Sequence, residues 1–230
     1  FGPTVDVYVL PAAPLTTIEQ GKHNAVPFII GANADETSAF GIPPMTEAQY
    51  QRIIRQALGP LADPVLAQYP VSAYDTPRKA LIAVTTDSQF VCPARRIAEA
   101  VATHQTAPVY RYFYRHALNN LAGKLLGASH GSELLFVFQH LGDSPDYSPT
   151  ADDLAIEAAI LGYWTRFAAT GDPNGGDTTT AAWPAYLADV DPYLDLAMPV
   201  KAGAGVRTEQ CDFWERLSLS NSTSAQNTAR

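Results

Sequence analysis

Glu36, Ser129, His130 and the cysteines Cys92 and Cys211 are the side chains of this sequence whose types and settings could carry chemistry. Of the five histidines, His23, His104, His116, His130 and His140, only His130 is flanked by glycine with an acid nearby, in Gly127-Ala128-Ser129-His130-Gly131-Ser132-Glu133-Leu134. A loop histidine is by default structural or solvent-facing, and it becomes a general base only when its ring is held. Glu36 sits in the polar loop Ala32-Asn33-Ala34-Asp35-Glu36-Thr37-Ser38, directly after the apolar run Pro27-Phe28-Ile29-Ile30-Gly31. The loop after a buried strand is where α/β folds place ligand and catalytic groups, although a loop glutamate taken alone is a solvated surface residue. Gly127-Ala128-Ser129-His130-Gly131 also fits G-x-S-x-G, the turn pattern that presents a nucleophilic serine between a strand and a helix. The stretch before it, Asn119-Asn120-Leu121-Ala122-Gly123-Lys124, reads as a polar loop instead of a strand. Beyond Ser129 and its neighbour the only histidine is His140, too close to admit an intervening acid, so Ser129 is rejected as a nucleophile.

Two cysteines are too few and too far apart for a zinc site or a CxxC redox motif, and no cofactor is expected. Each lies in an apolar context, Phe90-Val91-Cys92-Pro93 and Cys211-Asp212-Phe213-Trp214. They read either as two buried free thiols or as one long-range disulfide, the latter implying an oxidising compartment.

The elements that must position these groups follow from pattern. Pro27–Gly31 predicts a strand buried on both faces. Thr46 and Gln49 form a capping-box signature, with Tyr50, Ile53, Ile54 and Leu58 recurring at helical spacing behind it. Further helices are expected over about 61–68, 76–90 and 93–104, and a strand over 108–115, where Val109, Tyr110, Tyr112, Phe113 and Tyr114 favour β structure. A loop from Ala117 to Ser129 leads to His130. The longest helix is expected over 152–169, with Thr150 near its cap and Gly171 beyond its end. The stretch 171–182 reads as a surface loop, 193–198 as a short strand, 208–219 as a final helix, and 220–230 as a polar, disordered tail. Two or three strands cannot make the central sheet that so many helices need to cover. The class is α/β, and the missing strands are expected to come from elsewhere.

The 230 residues suggest one large domain or two small ones, and the composition, 47% hydrophobic and 17% charged, excludes disordered, collagen-like and coiled-coil classes. A net charge of -8 argues against nucleic-acid and anionic-membrane partners, which need a cationic footprint. No apolar run approaches the roughly 20 residues of a membrane span. The start, Phe1-Gly2-Pro3-Thr4-Val5-Asp6, has neither an initiator Met nor the regions of a signal peptide, and it reads as chain entered midway.

Gly31-Ala32-Asn33-Ala34-Asp35-Glu36 resembles the acid loop of the type-B carboxylesterases, the cholinesterase-like branch of the α/β-hydrolases. Ser129-His130-Gly131-Ser132-Glu133-Leu134 resembles that family's catalytic-histidine loop, and the order and spacing of the two also suit it. Asp87-Ser88-Gln89-Phe90-Val91-Cys92-Pro93, Phe167-Ala168-Ala169-Thr170-Gly171-Asp172-Pro173-Asn174, Trp183-Pro184-Ala185-Tyr186 and Cys211-Asp212-Phe213-Trp214 are similar to further family segments. The resemblance covers nearly all of residues 1–219, which it implies to be the C-terminal part of an α/β-hydrolase domain, with a sheet incomplete without the N-terminal part.

What the resemblance implies is a serine esterase hydrolysing neutral carboxylic esters through an acyl-serine. His130 would be its general base and Glu36 the acid that holds the imidazole, while the nucleophilic serine and oxyanion donors would lie on an N-terminal part. It also implies a disulfide between Cys92 and Cys211, hence a secreted or periplasmic setting. The Asn221-Ser222-Thr223 sequon would matter only in a eukaryotic secretory pathway. Phe40 would line the acyl pocket, and Phe136 and Phe138 would face it unless they pack in the core. Two departures stand out. Thr37 replaces the glycine that usually follows the acid, which is strained if that position needs φ > 0. Ala39 stands where cholinesterases carry an aromatic that holds choline, which disfavours choline esters. The alternative reading is a non-catalytic cholinesterase-like adhesion module, or an inactive truncated product.

Overall fold

The computed structural model describes residues 3–143, 145–175 and 181–227, with side chains as far as 218. The tail over 220–230 therefore lies, in its side chains, outside the described residues, and so do the sequon at Asn221 and the centre of the loop over 171–182. In chain order the elements are α1 (Pro14–Glu19), β1 (Phe28–Asn33), α2 (Glu47–Leu58), α3 (Ala62–Gln68), α4 (Pro77–Thr86), α5 (Cys92–His104), β2 (Val109–Tyr114), α6 (Leu121–Leu126), α7 (Leu134–Val137), α8 (Ala151–Thr170), β3 (Pro192–Leu196), β4 (Lys201–Ala204) and α9 (Thr208–Asn227). A π turn, Asp87–Val91, joins α4 to α5. Where the periodicity predicts one helix running to residue 90, the chain widens for one turn before Cys92.

The architecture is α/β, with a four-stranded sheet in the order β1-β2-β3-β4. β2 and β3 are parallel, with Tyr112 opposite Leu194, and β3 and β4 are antiparallel, with Tyr193 opposite Gly203. A Cβ on Gly203 would lie 2.7 Å from the Tyr193 ring, so the ring occupies the space that the glycine leaves. β1 is less buried than expected. It ends the strand order, and only Ala32 and Asn33 of its residues are buried, the rest being half-buried.

The chain divides into two compact units. The first, residues 1–32, 94–116 and 133–206, holds the sheet apart from Asn33. Its centre is Trp183, whose indole N–H donates to the Arg111 carbonyl at 2.9 Å and whose rings meet Tyr110, Tyr112, Tyr163 and Trp164. Ala98, Val101, Val109 and Tyr186 form a neighbouring cluster. Two ion pairs flank β2 and β3: Arg111 with Asp191, and Arg115 through two bonds of 2.8 and 2.7 Å with Asp195. α8 begins at a capping box in which the Thr150 hydroxyl accepts from the Asp153 N–H, and it ends at Gly171 in the left-handed conformation.

The second unit comprises residues 33–93, 117–132 and 207–230. The apolar faces of α2, α3 and α4 meet there through Tyr50, Ile54, Val65, Tyr69, Leu81 and Val84, with Phe213 and Trp214 of α9 packed against them. The Thr46/Gln49 capping box forms as its residues predict. Cys92 and Cys211 are joined in a disulfide.

Candidate active site

Glu36 and His130 both belong to the second unit, and the structure brings them together. β1 delivers the chain into a turn, and the 3-10 turn Glu36–Ala39 aims Glu36 inward. The Glu36 side chain is only 6% exposed. Its Oε1 accepts the backbone N–H of Asn33 at 2.8 Å, so the carboxylate folds back over its own loop. Its Oε2 lies 2.6 Å from His130 Nδ1. A carboxylate oxygen can only accept in this bond, which fixes the hydrogen on Nδ1 and leaves the Nε2 lone pair available. The His130 side chain is 54% exposed. A buried acid thus holds an imidazole whose far edge stays accessible.

The acid loop is braced from α4. Arg78 donates to the Ser38 carbonyl at 2.8 Å and to the Ile42 carbonyl at 2.7 Å. The Thr37 hydroxyl is hydrogen-bonded to the Thr85 hydroxyl at 2.6 Å. Thr37 is not among the residues with positive φ, so the β-branched residue in place of glycine brings no backbone strain here. Its hydroxyl adds a tie that a glycine could not make.

His130 follows α6, which occupies part of the stretch expected to be loop. Asn120 caps this helix by accepting the Gly123 N–H at 2.7 Å, and Gly127 ends it with φ +65°. The element before Ser129 is therefore a short helix, and a turn follows, without the strand that a serine elbow needs. The carbonyl of Ser129 accepts bonds from the Asn33 side chain and the Ser132 hydroxyl at 2.9 and 2.7 Å.

Two phenylalanine rings flank the imidazole. Phe40 approaches edge-on with centroids 5.7 Å apart, and Phe90 lies at 5.3 Å. The resemblance points to Phe40 at the site, whereas Phe90 comes from the structure alone. Phe90 lies on the π turn, which the helical periodicity of 76–90 hides, and such turns occur frequently at functional positions. Phe136 and Phe138 belong to the first unit. Phe136 is fully buried, its ring against Tyr114 and His116, and Phe138 is exposed.

The π turn also carries Asp87, which has no exposed surface. The Tyr69 hydroxyl donates to its Oδ2 at 3.1 Å, and Trp214 Nε1 donates to the Tyr69 oxygen at 2.8 Å. Arg207 Nε lies 3.5 Å from Oδ1. Burial pushes the Asp87 carboxyl up to about 6, against the opposing pull of the Arg207 charge and the Tyr69 hydrogen bond. Burial also raises Asp35, an effect opposed by the N–H of Ala128. Among the described residues no group of three His, Cys, Asp or Glu side chains could hold a metal ion, and no helix is long and apolar enough to cross a membrane.

The sequence model of the carboxylesterase family matches residues 1–214. The chain is 27% identical to an acetylcholinesterase of Bungarus fasciatus over 94% of its own length and 39% of that relative's. It is 33% identical to an acetylcholinesterase of Gallus gallus over 77% of its own length and 22% of that relative's. The chain thus spans well under half the length of either relative. With the family's pattern running through almost every described residue, from before β1 into α9, the chain belongs to the carboxylesterase family, and its open four-stranded sheet is part of an α/β-hydrolase fold.

Proposed function

We propose that this chain supplies the acid and the histidine of a serine esterase that hydrolyses neutral carboxylic esters, the nucleophilic serine and oxyanion donors being carried by a more N-terminal part of the protein. The observation that supports this reading is the 2.6 Å bond between buried Glu36 and half-exposed His130. His130 Nε2 takes the proton of the attacking serine hydroxyl as the tetrahedral intermediate forms, then returns it to the leaving alcohol oxygen. Water repeats the sequence on the acyl-serine. Glu36 keeps the imidazole in the productive tautomer and offsets the imidazolium charge at each stage. Phe40, its ring against the imidazole, forms a wall of the acyl site. Ala39 presents no aromatic face to a quaternary ammonium, so the preferred alcohol portion is uncharged. The disulfide supports a secreted or periplasmic setting.

The test uses the whole protein and a neutral ester such as p-nitrophenyl acetate. His130→Ala is expected to lower kcat by roughly three or more orders of magnitude, as loss of a triad member does elsewhere. Turnover unchanged by this substitution removes His130 from the mechanism. A fluorophosphonate probe should label a serine outside this chain. Labelling at Ser129 would overturn the assignment, and no labelling at all favours a non-catalytic adhesion role or an inactive product.

A further inference from the structure

The hydrogen bond between Glu36 and His130 is one bond between two side chains, one of them half exposed. Around it the two loops are tied by a series of bonds that involve neither catalytic side chain. The Asp35 N–H donates to the Ala128 carbonyl at 3.0 Å, and the Ala128 N–H donates to Asp35 Oδ2 at 3.1 Å. The His130 N–H donates to the Glu36 carbonyl at 3.1 Å. Asn33 Nδ2 donates to the Ser129 carbonyl at 2.9 Å, and Ser38 Oγ donates to the Leu126 carbonyl at 2.6 Å. Residues 33, 35, 36 and 38 thus engage 129, 128, 130 and 126 in turn. Gly127 completes the arrangement. A Cβ there would lie 2.2 Å from Asp35 Oδ2, and its φ of +65° already disfavours a side chain. The first glycine of the misleading G-x-S-x-G is present because the Asp35 carboxylate occupies that space.

We propose that Asp35 and Ser38, on either side of Glu36, are positioning residues that lock the acid loop onto the histidine loop and thereby set the Glu36–His130 distance. The proposal rests on the esterase reading. Catalytic side chains must be held to within about 0.5 Å of productive geometry, which a lone bond to a half-exposed ring does not ensure. Asp35 supplies both partners of a two-bond bridge to Ala128, only two residues from His130, and Ser38 fixes the far end of the loop. Rotation of the histidine loop away from Glu36 would have to break these bonds as well as the catalytic one.

The test compares Asp35→Ala and Asp35→Asn in the whole protein, measuring kcat, KM, unfolding midpoint and the downfield proton resonance of His130 Nδ1–H. Asp35→Ala is expected to lower kcat by about ten- to a hundred-fold with KM little changed, and to weaken or abolish the Nδ1–H resonance. Asp35→Asn keeps an acceptor for the Ala128 N–H and should restore most of both signals. Gly127→Ala, which drives a methyl group against Oδ2, should reproduce the loss, and the double variant with Asp35→Ala should be no worse than either alone. If Asp35→Ala does not fold, Ser38→Ala, which deletes only the bond to Leu126, is expected to move kcat and the resonance in the same direction. A folded Asp35→Ala or Ser38→Ala protein with full kcat and an intact resonance would overturn the proposal. So would a loss that follows the unfolding midpoint and is not rescued by Asp35→Asn. If His130→Ala leaves turnover unchanged, the esterase reading fails, and the Nδ1–H resonance alone still decides whether Asp35 positions the pair.

Discussion

Asp87 is a carboxyl group kept from water with one hydroxyl donor and an arginine at 3.5 Å, and its titration is felt by the folded state. Unfolded, it ionises near 3.8, whereas folded it does so at about 6. Between these values the folded state holds the proton more tightly, so this residue's contribution to stability falls as pH rises from about 4 to 6 and is level above that. Asp87→Asn should remove this slope, leaving the variant about 2–3 kcal/mol better off relative to the parent at pH 7 than at pH 4. Urea midpoints across that range measure the difference, and equal slopes in the two proteins would refute it. At the same scale, loop context alone leaves Glu36 a solvated acid and His130 a structural histidine; the resemblance of both loops to family segments is what pairs them in the sequence, and the 2.6 Å bond between them is seen only in the structure. Phe90 and Asp87 were not legible, since nothing in Asp87-Ser88-Gln89-Phe90 signals a π turn inside a helical pattern. The place of Thr37 could be posed from the sequence as a question of backbone strain, but only its φ and the Thr85 hydroxyl answer it.

At the scale of elements, the start of α8 shows how one side chain serves several functions. Asp153 accepts from Tyr147 Oη and from the Thr150 N–H and hydroxyl at 2.6 to 2.7 Å, and it meets His116 Nε2 at 2.6 Å. Burial acts to raise its carboxyl, but the hydrogen bonds outweigh it and hold the group down at about 2. The sign is opposite to that of Asp87: this stability is present above the unfolded value of 3.8 and is lost as pH falls toward 2. Asp153→Ala should cost about 1–2 kcal/mol at pH 7, and the penalty should shrink in unfolding curves measured below pH 4. The cap itself was visible in the sequence, as were β2, α5 and Gly171 beyond the end of α8, because each depends on local periodicity or on one conformation-specific residue. β4 was not, since Lys201-Ala202-Gly203-Ala204 has no β-branched or aromatic residue, and its pairing comes from Tyr193 lying over Gly203. α6 was also missed. Its six residues follow a polar stretch and carry too few turns for a helical period to emerge.

For the whole molecule, the disulfide is the longest-range constraint that the sequence could suggest, yet its two cysteines were equally readable as free thiols until the family pattern was weighed. The bond spans 119 residues, and the chain-entropy treatment gives a stabilisation of up to about 4–5 kcal/mol for such a loop. Reduction, or Cys92→Ser with Cys211→Ser, should lower the unfolding midpoint accordingly, while an unchanged midpoint would show that the crosslink contributes nothing to the native fold. The division into two units was not legible from sequence, because the chain enters and leaves each unit more than once and no linker marks the passage. The second unit is assembled from three separate stretches, and the disulfide ties the first of these, ending at Pro93, to the last, which begins at Arg207. All the intervening chain lies inside that covalent loop. A protease that cuts it once, for example near exposed Leu187, would therefore leave a single band on a denaturing gel until reductant is added, and two bands afterwards.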